Sequence, residues 1–394
     1  MTTVLDTARR SGQMHALVVG VGHYPHCASA EAGVGPLAGL GRRFGQLSSP
    51  PQSALALAQW LLDEQVDDEV APLGSVELLV SGVPAPVVGI TDGPAEVDPP
   101  TWENVSEACD RWYQRCDSDP SNVALFFFSG HGFQYADRQA LLLEDFGRSP
   151  HRILDNAVSF DRTVARMDQC RARTQCYFVD SCREMPYELR MLPPDGARSL
   201  VDPVPLDDGV ALGLGPRDAL TIFSTAPGER AWGHGGKVTV FTHALLAAMG
   251  GLAAQQDQVP GRWEVTTESL WPAVRRLLSR YGTTGSENQQ AMLGHGPSLA
   301  TPLRRLRQPP QIGFRLGCDP ADALRNARMG LARLGDHSVE QWREPPRADV
   351  WEGSTPAGLY SVGARFDSGG YCNTDQPMAF RPPYVDFALP VERT

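Results

Sequence analysis

The 394-residue sequence predicts a three-layer α/β fold, with helices on both faces of a mostly parallel central sheet, followed by a C-terminal β-sandwich-like domain. Two observations predict the first part. Residues 123–128 (Val-Ala-Leu-Phe-Phe-Phe) and 175–179 (Gln-Cys-Tyr-Phe-Val) are nearly continuous apolar runs without polar alternation. Central strands of a parallel sheet, covered on both faces, read this way. Similar runs alternate with stretches of helical spacing, the order of a parallel sheet with right-handed crossovers. A third observation, a change of pattern after a proline-closed stretch at 304–310, predicts the second part.

The elements follow in order. Residues 1–13 are polar, lack the apolar stretch of a secretory signal, and are expected to be a flexible tail. Residues 16–21 open the sheet, and the Gly-rich stretch 33–51 reads as loop. Residues 52–65, with Leu55, Ala58 and Leu62 at helical spacing, read as a helix. Residues 76–80 form a second strand, and 84–100 a Pro/Gly-rich excursion. Thr101 is an N-cap for a helix ending near Asp117. Past the run at 123–128, residues 140–143 read as a short hairpin strand, 159–170 as helix, 219–223 as strand, and 240–249 and 269–281 as helices. The Pro-rich stretch 185–215 reads as a long mobile loop. The expected domains are 14–300, a linker at 301–310, and a β-rich accessory domain at 311–394. Its strands are expected at 311–316, 348–351, 358–366 and 384–389, with helical spacing at 322–334.

Composition excludes several classes. The net charge is −11, and residues 44–110 hold twelve acidic residues and no Lys or Arg. Phosphate binding needs a basic surface, so nucleic acid is not an expected partner. The acidic region reads as a solvated face, with attraction of a basic substrate as the sharper alternative. No run of eighteen apolar residues occurs, so no spanning helix is expected. The eight cysteines contain no C-x-x-C pair, and no H-E-x-x-H occurs, so a disulfide framework or zinc site is not expected and a reducing, cytoplasmic setting is. Gly20-Val21-Gly22 does not extend to G-x-G-x-x-G, and there is no G-x-S-x-G, which speaks against a dinucleotide fold and a serine hydrolase.

In parallel sheets the chemistry gathers at the carboxyl ends of the strands. There the chain carries Ser129-Gly130-His131-Gly132 and, about fifty residues on, Asp180-Ser181-Cys182-Arg183. A Cys and a His, distant in sequence and adjacent in space, make a nucleophile and its base. Cys182 at a strand end is placed for exposure, although buried structural cysteines are common. His131 is the candidate base and later acid, and its flanking glycines let the backbone turn sharply. His234 also lies between two glycines. Asp180, two residues before Cys182 in a strand, shares its face.

These motifs resemble the caspase and metacaspase superfamily of cysteine proteases, where S-G-H-G ends one strand and the Cys ends the next. The Asp-Ser-Cys form is similar to metacaspases rather than to animal caspases. Residues 219–232 (Ala-Leu-Thr-Ile-Phe-Ser-Thr-Ala-Pro-Gly-Glu-Arg-Ala-Trp) resemble the substrate-groove strand and loop, and 240–246 the helix after it. The likeness covers about residues 14–290. It implies an endopeptidase acting on protein substrates through Cys182 and His131. Gly132 and Cys182 N–H groups would form the oxyanion hole. Asp180 would line a pocket for Arg, or Lys, before the cleaved bond. Metacaspases add a second acid near the end of the first strand, which Gly22-His23-Tyr24-Pro25-His26 lacks. Ser224, Thr225 and Ala226 would offer backbone to an extended substrate, and Trp232 would wall an outer subsite.

No cofactor is expected. Several metacaspases require calcium, for which Asp202, Asp207 and Asp208 offer oxygens, but three Asp more often mark a soluble loop. The family's loop between the two parts of the catalytic domain is often cut, so the resemblance implies either self-cleavage after Arg190, Arg198 or Arg217, or an intact loop that only gates the groove. Bacterial caspase-like proteases often act in antiphage defence or regulated cell death, so the resemblance implies such a role, with the C-terminal domain as a sensor or as the dock of a regulatory partner. The competing reading is a non-enzymatic adaptor on the same fold, against which the intact His131 and Cys182 speak.

Overall fold

The computed structural model describes residues 2–7, 11–28, 44–82, 87–90, 93–135, 138–149, 151–185, 189, 196–201, 216–229, 235–257, 261–282, 290–335, 340–367 and 370–394. They form two compact units: residues 1–246 with 266–304, and residues 247–265 with 305–394.

The first unit is built on a seven-stranded sheet. Its strands in chain order are β1 (Thr3–Asp6), β2 (Met14–Gly20), β3 (Leu73–Val80), β4 (Val123–Gly130), β8 (Thr174–Ser181), β9 (Asp218–Phe223) and β10 (Met292–His295). A smaller sheet between them holds β5 (Gly132–Tyr135), β6 (Arg138–Leu142) and β7 (Ala157–Ser159). The order across the large sheet is β1-β3-β2-β4-β8-β9-β10. The five inner strands are parallel and both edge strands antiparallel. Every residue of β2, β3, β4 and β8 is buried, the two-sided cover that the apolar runs at 123–128 and 175–179 predict.

The covering helices are α1 (Ser49–Glu64), α2 (Trp102–Cys116), α3 (Phe160–Met167), α4 (Val240–Ala247) and α5 (Thr267–Tyr281). Thr101 caps α2, its hydroxyl accepting the Asn104 N–H. Helix α1 starts three residues earlier than its apolar spacing suggests, because Pro50 and Pro51 suit a first turn whose N–H groups have no partner. Within the 84–100 excursion, Val87–Ile90 pairs antiparallel with Gly93–Glu96.

Three expectations need correction. Residues 3–6, read as part of a flexible tail, are the edge strand β1, with Val4 and Leu5 buried. The anchor is Glu77 on β3, fully buried, which accepts from the Thr3 hydroxyl (2.7 Å) and from Arg115 (2.6 Å) and Arg111 (3.1 Å) of α2. Residues 301–310, read as linker, include a strand at Pro302–Leu306. Residues 322–334 are no helix: a 3₁₀ turn at Ala321–Arg325 runs into a strand, whose pairing to two neighbours overrides the local spacing.

The second unit is β-rich. One sheet joins β11 (Gln311–Asp319), β14 (Trp351–Pro356) and β17 (Tyr384–Pro390); the other joins β12 (Arg328–Arg333), β13 (Glu340–Arg343), β15 (Gly358–Arg365) and β16 (Thr374–Phe380). Pairing is antiparallel except between β11 and β17. Alternate residues of β11 (Ile312, Phe314, Leu316) and β15 (Tyr360, Val362, Ala364) turn inward, and the Phe314 ring meets Phe380 of the other sheet at 5.7 Å. The half-buried β13 and β16 lack a clear apolar alternation and are not legible in the sequence.

Candidate active site

The parallel register of β4 and β8 sets Asp180 beside Ser129 and Ser181 beside Gly130. The next residue on each chain is Cys182 and His131, so both emerge together at the carboxyl end of the sheet. They line one cavity of about 240 Å³ with Asp180, Ser129, Thr239 and the 46–50 segment. Cys182 is half-buried, as a thiol that must meet a substrate should be.

His131 is held from three sides. Its N–H donates to the Tyr24 hydroxyl (2.8 Å). The Tyr24 and Phe44 rings lie 4.8 and 5.1 Å from the imidazole. Nε2 lies 2.8 Å from the Gly45 carbonyl oxygen. A carbonyl only accepts, so Nε2 carries the proton and the neutral ring keeps Nδ1 as its basic nitrogen. Burial pushes the His131 pKa down to about 4, against the raising effect of the Gly45 carbonyl. Sequence reasoning missed Tyr24, Phe44 and Gly45, because a ring face and a backbone carbonyl leave no motif.

The buried His15 is likewise held at about 4, first by burial and then by the charge of Arg115. For both histidines the folded pKa lies below the unfolded value of about 6.5, so the unfolded chain takes up protons first as pH falls. Their contribution is therefore fully present above pH 6.5 and is lost as pH drops toward 4. Each is worth on the order of 3 kcal/mol over that window. Urea midpoints measured from pH 7 to 4 should fall, and His15→Gln should shallow the slope. A flat profile in both proteins would contradict this account.

Gly132 starts β5 against the nucleophile strand. A Cβ there would lie 2.8 Å from Ser181 Oγ and 2.9 Å from the Ala140 carbonyl oxygen and Gln139 Nε2. Gln139 Nε2 in turn donates to Ser181 Oγ (3.2 Å) and to the Cys182 carbonyl (3.1 Å). Gly132→Ala is expected to cost about 1–3 kcal/mol by overpacking and to shift the Cys182 backbone, read as a lower melting temperature and a lower kcat. An unchanged melt would show that the neighbours yield freely.

Asp180 is fully buried and turned into the same cavity. Its Oδ2 accepts from the Thr239 hydroxyl, with Thr242 (3.4 Å) and Ser129 (3.5 Å) further off. Oδ1 makes no hydrogen bond of normal geometry, and the Ser224 hydroxyl supports the charge from the side. Burial pushes the carboxyl above the usual carboxylate range, opposed by these hydroxyls, Thr239 first. No Lys or Arg lines the cavity among the described residues. Arg183 does not serve: its guanidinium lies 4.2 Å over the Phe223 ring and reaches the Thr225 carbonyl (3.5 Å) and Met292 Sδ (3.2 Å).

The 224–226 segment lies beside the nucleophile strand. Ser224 N–H donates to the Val179 carbonyl (2.9 Å) and so belongs to the sheet. The Thr225 hydroxyl donates to the Ser181 carbonyl (3.2 Å), and the Ala226 carbonyl accepts from Glu229 N–H (3.1 Å). Two of these residues thus brace the nucleophile strand, because burial leaves their polar groups to be satisfied inside the fold. Trp232, His234, Asp202, Asp207 and Asp208 lie outside the described residues, among which no cluster of metal-binding side chains occurs.

A three-layer α/β unit with a Cys and a His over the ends of adjacent parallel strands is the architecture of caspase-like proteins. The caspase domain model matches residues 13–312, and the chain belongs to that family. It is 26% identical over 258 residues to an uncharacterized protein of Sinorhizobium fredii, covering 64% of this chain and 71% of the relative. It is 24% identical over 284 residues to a probable protease of a Desulfuromonadales bacterium, covering 70% of this chain but 31% of that longer protein. Among solved structures, caspase-1 of Spodoptera frugiperda aligns over 76% of this chain and 90% of its own, with TM-score 0.41 and 10% identity.

Proposed function

We propose that the chain is a cysteine endopeptidase that cleaves protein substrates after Arg, and secondarily Lys, in antiphage defence or regulated cell death. One observation carries the specificity: a fully buried carboxylate, met by hydroxyls and by no Lys or Arg among the described residues, in the cavity that Cys182 and His131 share. A buried charge without a counter-charge is costly unless a ligand supplies one. A guanidinium or ammonium group is that ligand, and Asp at the same position would set two carboxylates face to face.

In the reaction, His131 Nδ1 takes the Cys182 thiol proton, and the thiolate attacks the carbonyl carbon of the scissile bond. The Gly132 and Cys182 N–H groups hold the oxyanion. The imidazolium gives its proton to the leaving amine, and water then hydrolyses the thioester with His131 as base. A histidine held near pKa 4 is neutral at pH 7 and starts the cycle in its basic form.

A peptide library profiled with wild type, with Cys182→Ala as blank, tests this reading. Cleavage concentrated after Arg and Lys is expected. A preference for Asp or small apolar residues, or no cleavage at all, would overturn it, the last favouring the adaptor.

Self-cleavage can be narrowed. Arg198 N–H donates to the Ala157 carbonyl (3.0 Å), its carbonyl accepts from Ser159 N–H (2.8 Å), and its guanidinium lies 4.1 Å over Trp102. Arg217 reaches the Met167 and Asp168 carbonyls, and its own carbonyl accepts from Ser298. A protease needs its substrate backbone unpaired and extended, so neither bond is expected to be cut in the native protein. Intact-mass measurement of wild type beside Cys182→Ala checks this, and Cys182-dependent cuts after either residue would reverse it. Arg190 lies outside the described residues.

A further inference from the structure

We propose that Thr239 is a specificity-determining positioning residue: its hydroxyl donates to Asp180 Oδ2 and so fixes, in its charged form, the carboxylate that a basic substrate side chain meets. This rests on the reading of Asp180 given above. Thr239 precedes α4 and lines the cavity. Its Oγ1 receives the Ser53 hydroxyl (3.3 Å) and the Thr242 N–H (3.2 Å), while its own N–H donates to Ser53 Oγ (3.0 Å). A hydroxyl has one proton. That proton has two acceptors in reach, Asp180 Oδ2 and Thr242 Oγ1 (2.9 Å), and the ionised carboxylate, which can only accept, is the stronger of the two.

The clamp has two consequences. It fixes the carboxylate plane, because one oxygen is tied to residues of α1 and α4 through a short chain of hydroxyls. It also favours the ionised form, being the foremost of the hydroxyl contacts that oppose burial. The groups facing Asp180 from the elements packed on it are Ser129 of β4, Ser224 after β9, Thr242 of α4 and Thr239 itself. The only other titratable groups lining the cavity among the described residues are His131 and Cys182.

The test compares two fluorogenic peptides that differ only in having Arg or citrulline, its neutral isostere, before the scissile bond. Thr239→Val removes the hydroxyl at nearly constant shape. It is expected to lower the Arg-to-citrulline ratio of kcat/KM about 10-fold or more, the scale of a charge-assisted hydrogen bond. The loss should appear in KM for the Arg peptide, with kcat kept. The acid limb of kcat/KM for that peptide should move to higher pH, because Asp180 protonates sooner. The limb for the citrulline peptide, which reports the Cys-His pair alone, should stay. Thr239→Ser should restore both readouts. Should Thr239→Val fail to fold, judged by its thermal melt, Thr239→Ala carries the same comparison. If Asp180→Asn collapses the ratio while both Thr239 variants leave ratio and acid limb at wild-type values, Thr239 is merely structural and the proposal falls. If Asp180→Asn itself leaves the ratio unchanged, it is the reading of Asp180 that falls.

Discussion

Cys182→Ala is expected to lower kcat/KM for any cleaved peptide by at least about 10³-fold, with little change in thermal stability. The thiol is half-buried at a strand end, so trimming it opens no core cavity. His131→Gln is expected to cost nearly as much. Its side-chain N–H can keep the bond to the Gly45 carbonyl, while the basic nitrogen at Nδ1 is gone. The double variant should be no slower than either single one, since nucleophile and base act as a unit. Single-turnover kinetics with circular dichroism on the same samples decides the matter. Cleavage that survives in folded Cys182→Ala, or losses that simply multiply, would remove this pair from the chemistry.

Asp180→Asn is expected to produce the second largest effect, and in two directions. The preference for Arg over a neutral side chain should fall by about 30-fold to more than 10³-fold, the cost of leaving one buried charge of a pair unmatched. The free protein should become as stable as wild type or more so. The sign follows from the carboxyl's raised pKa: the folded state holds this proton more tightly than the unfolded chain, so ionisation costs stability as pH rises through the folded value. A neutral amide removes that cost. A melt that drops by several degrees together with an unchanged preference would show that Asp180 serves the fold and not the substrate. This opposition between stability and recognition is what a binding site built on buried charge entails.

Much of this was legible in the chain itself. The inner strands announce themselves because a two-sided sheet demands unbroken apolar runs, and 123–128 and 175–179 supply them. The His and Cys segments could be placed because chemistry sits where such strands end. The alternation of Ile312, Phe314 and Leu316 likewise marks a one-sided strand. Other features had no local sign. Strand β1 is four residues long and exists because Glu77, Arg111 and Arg115 gather around its edge. The 322–334 stretch has helical spacing that sheet pairing overrules.

The site divides the same way. Sequence order alone determined that His131, Cys182 and Asp180 stand at the ends of central strands, since residue type and strand period are local properties. Tertiary structure alone decided that Gly45 and Tyr24 hold the imidazole, that Ser224 and Thr225 brace the nucleophile strand, and that Thr239 faces Asp180 from 59 residues away. Those contacts join groups brought together only when the sheet closes. A backbone carbonyl or a threonine hydroxyl is the same in every protein until burial removes water and leaves it a single partner.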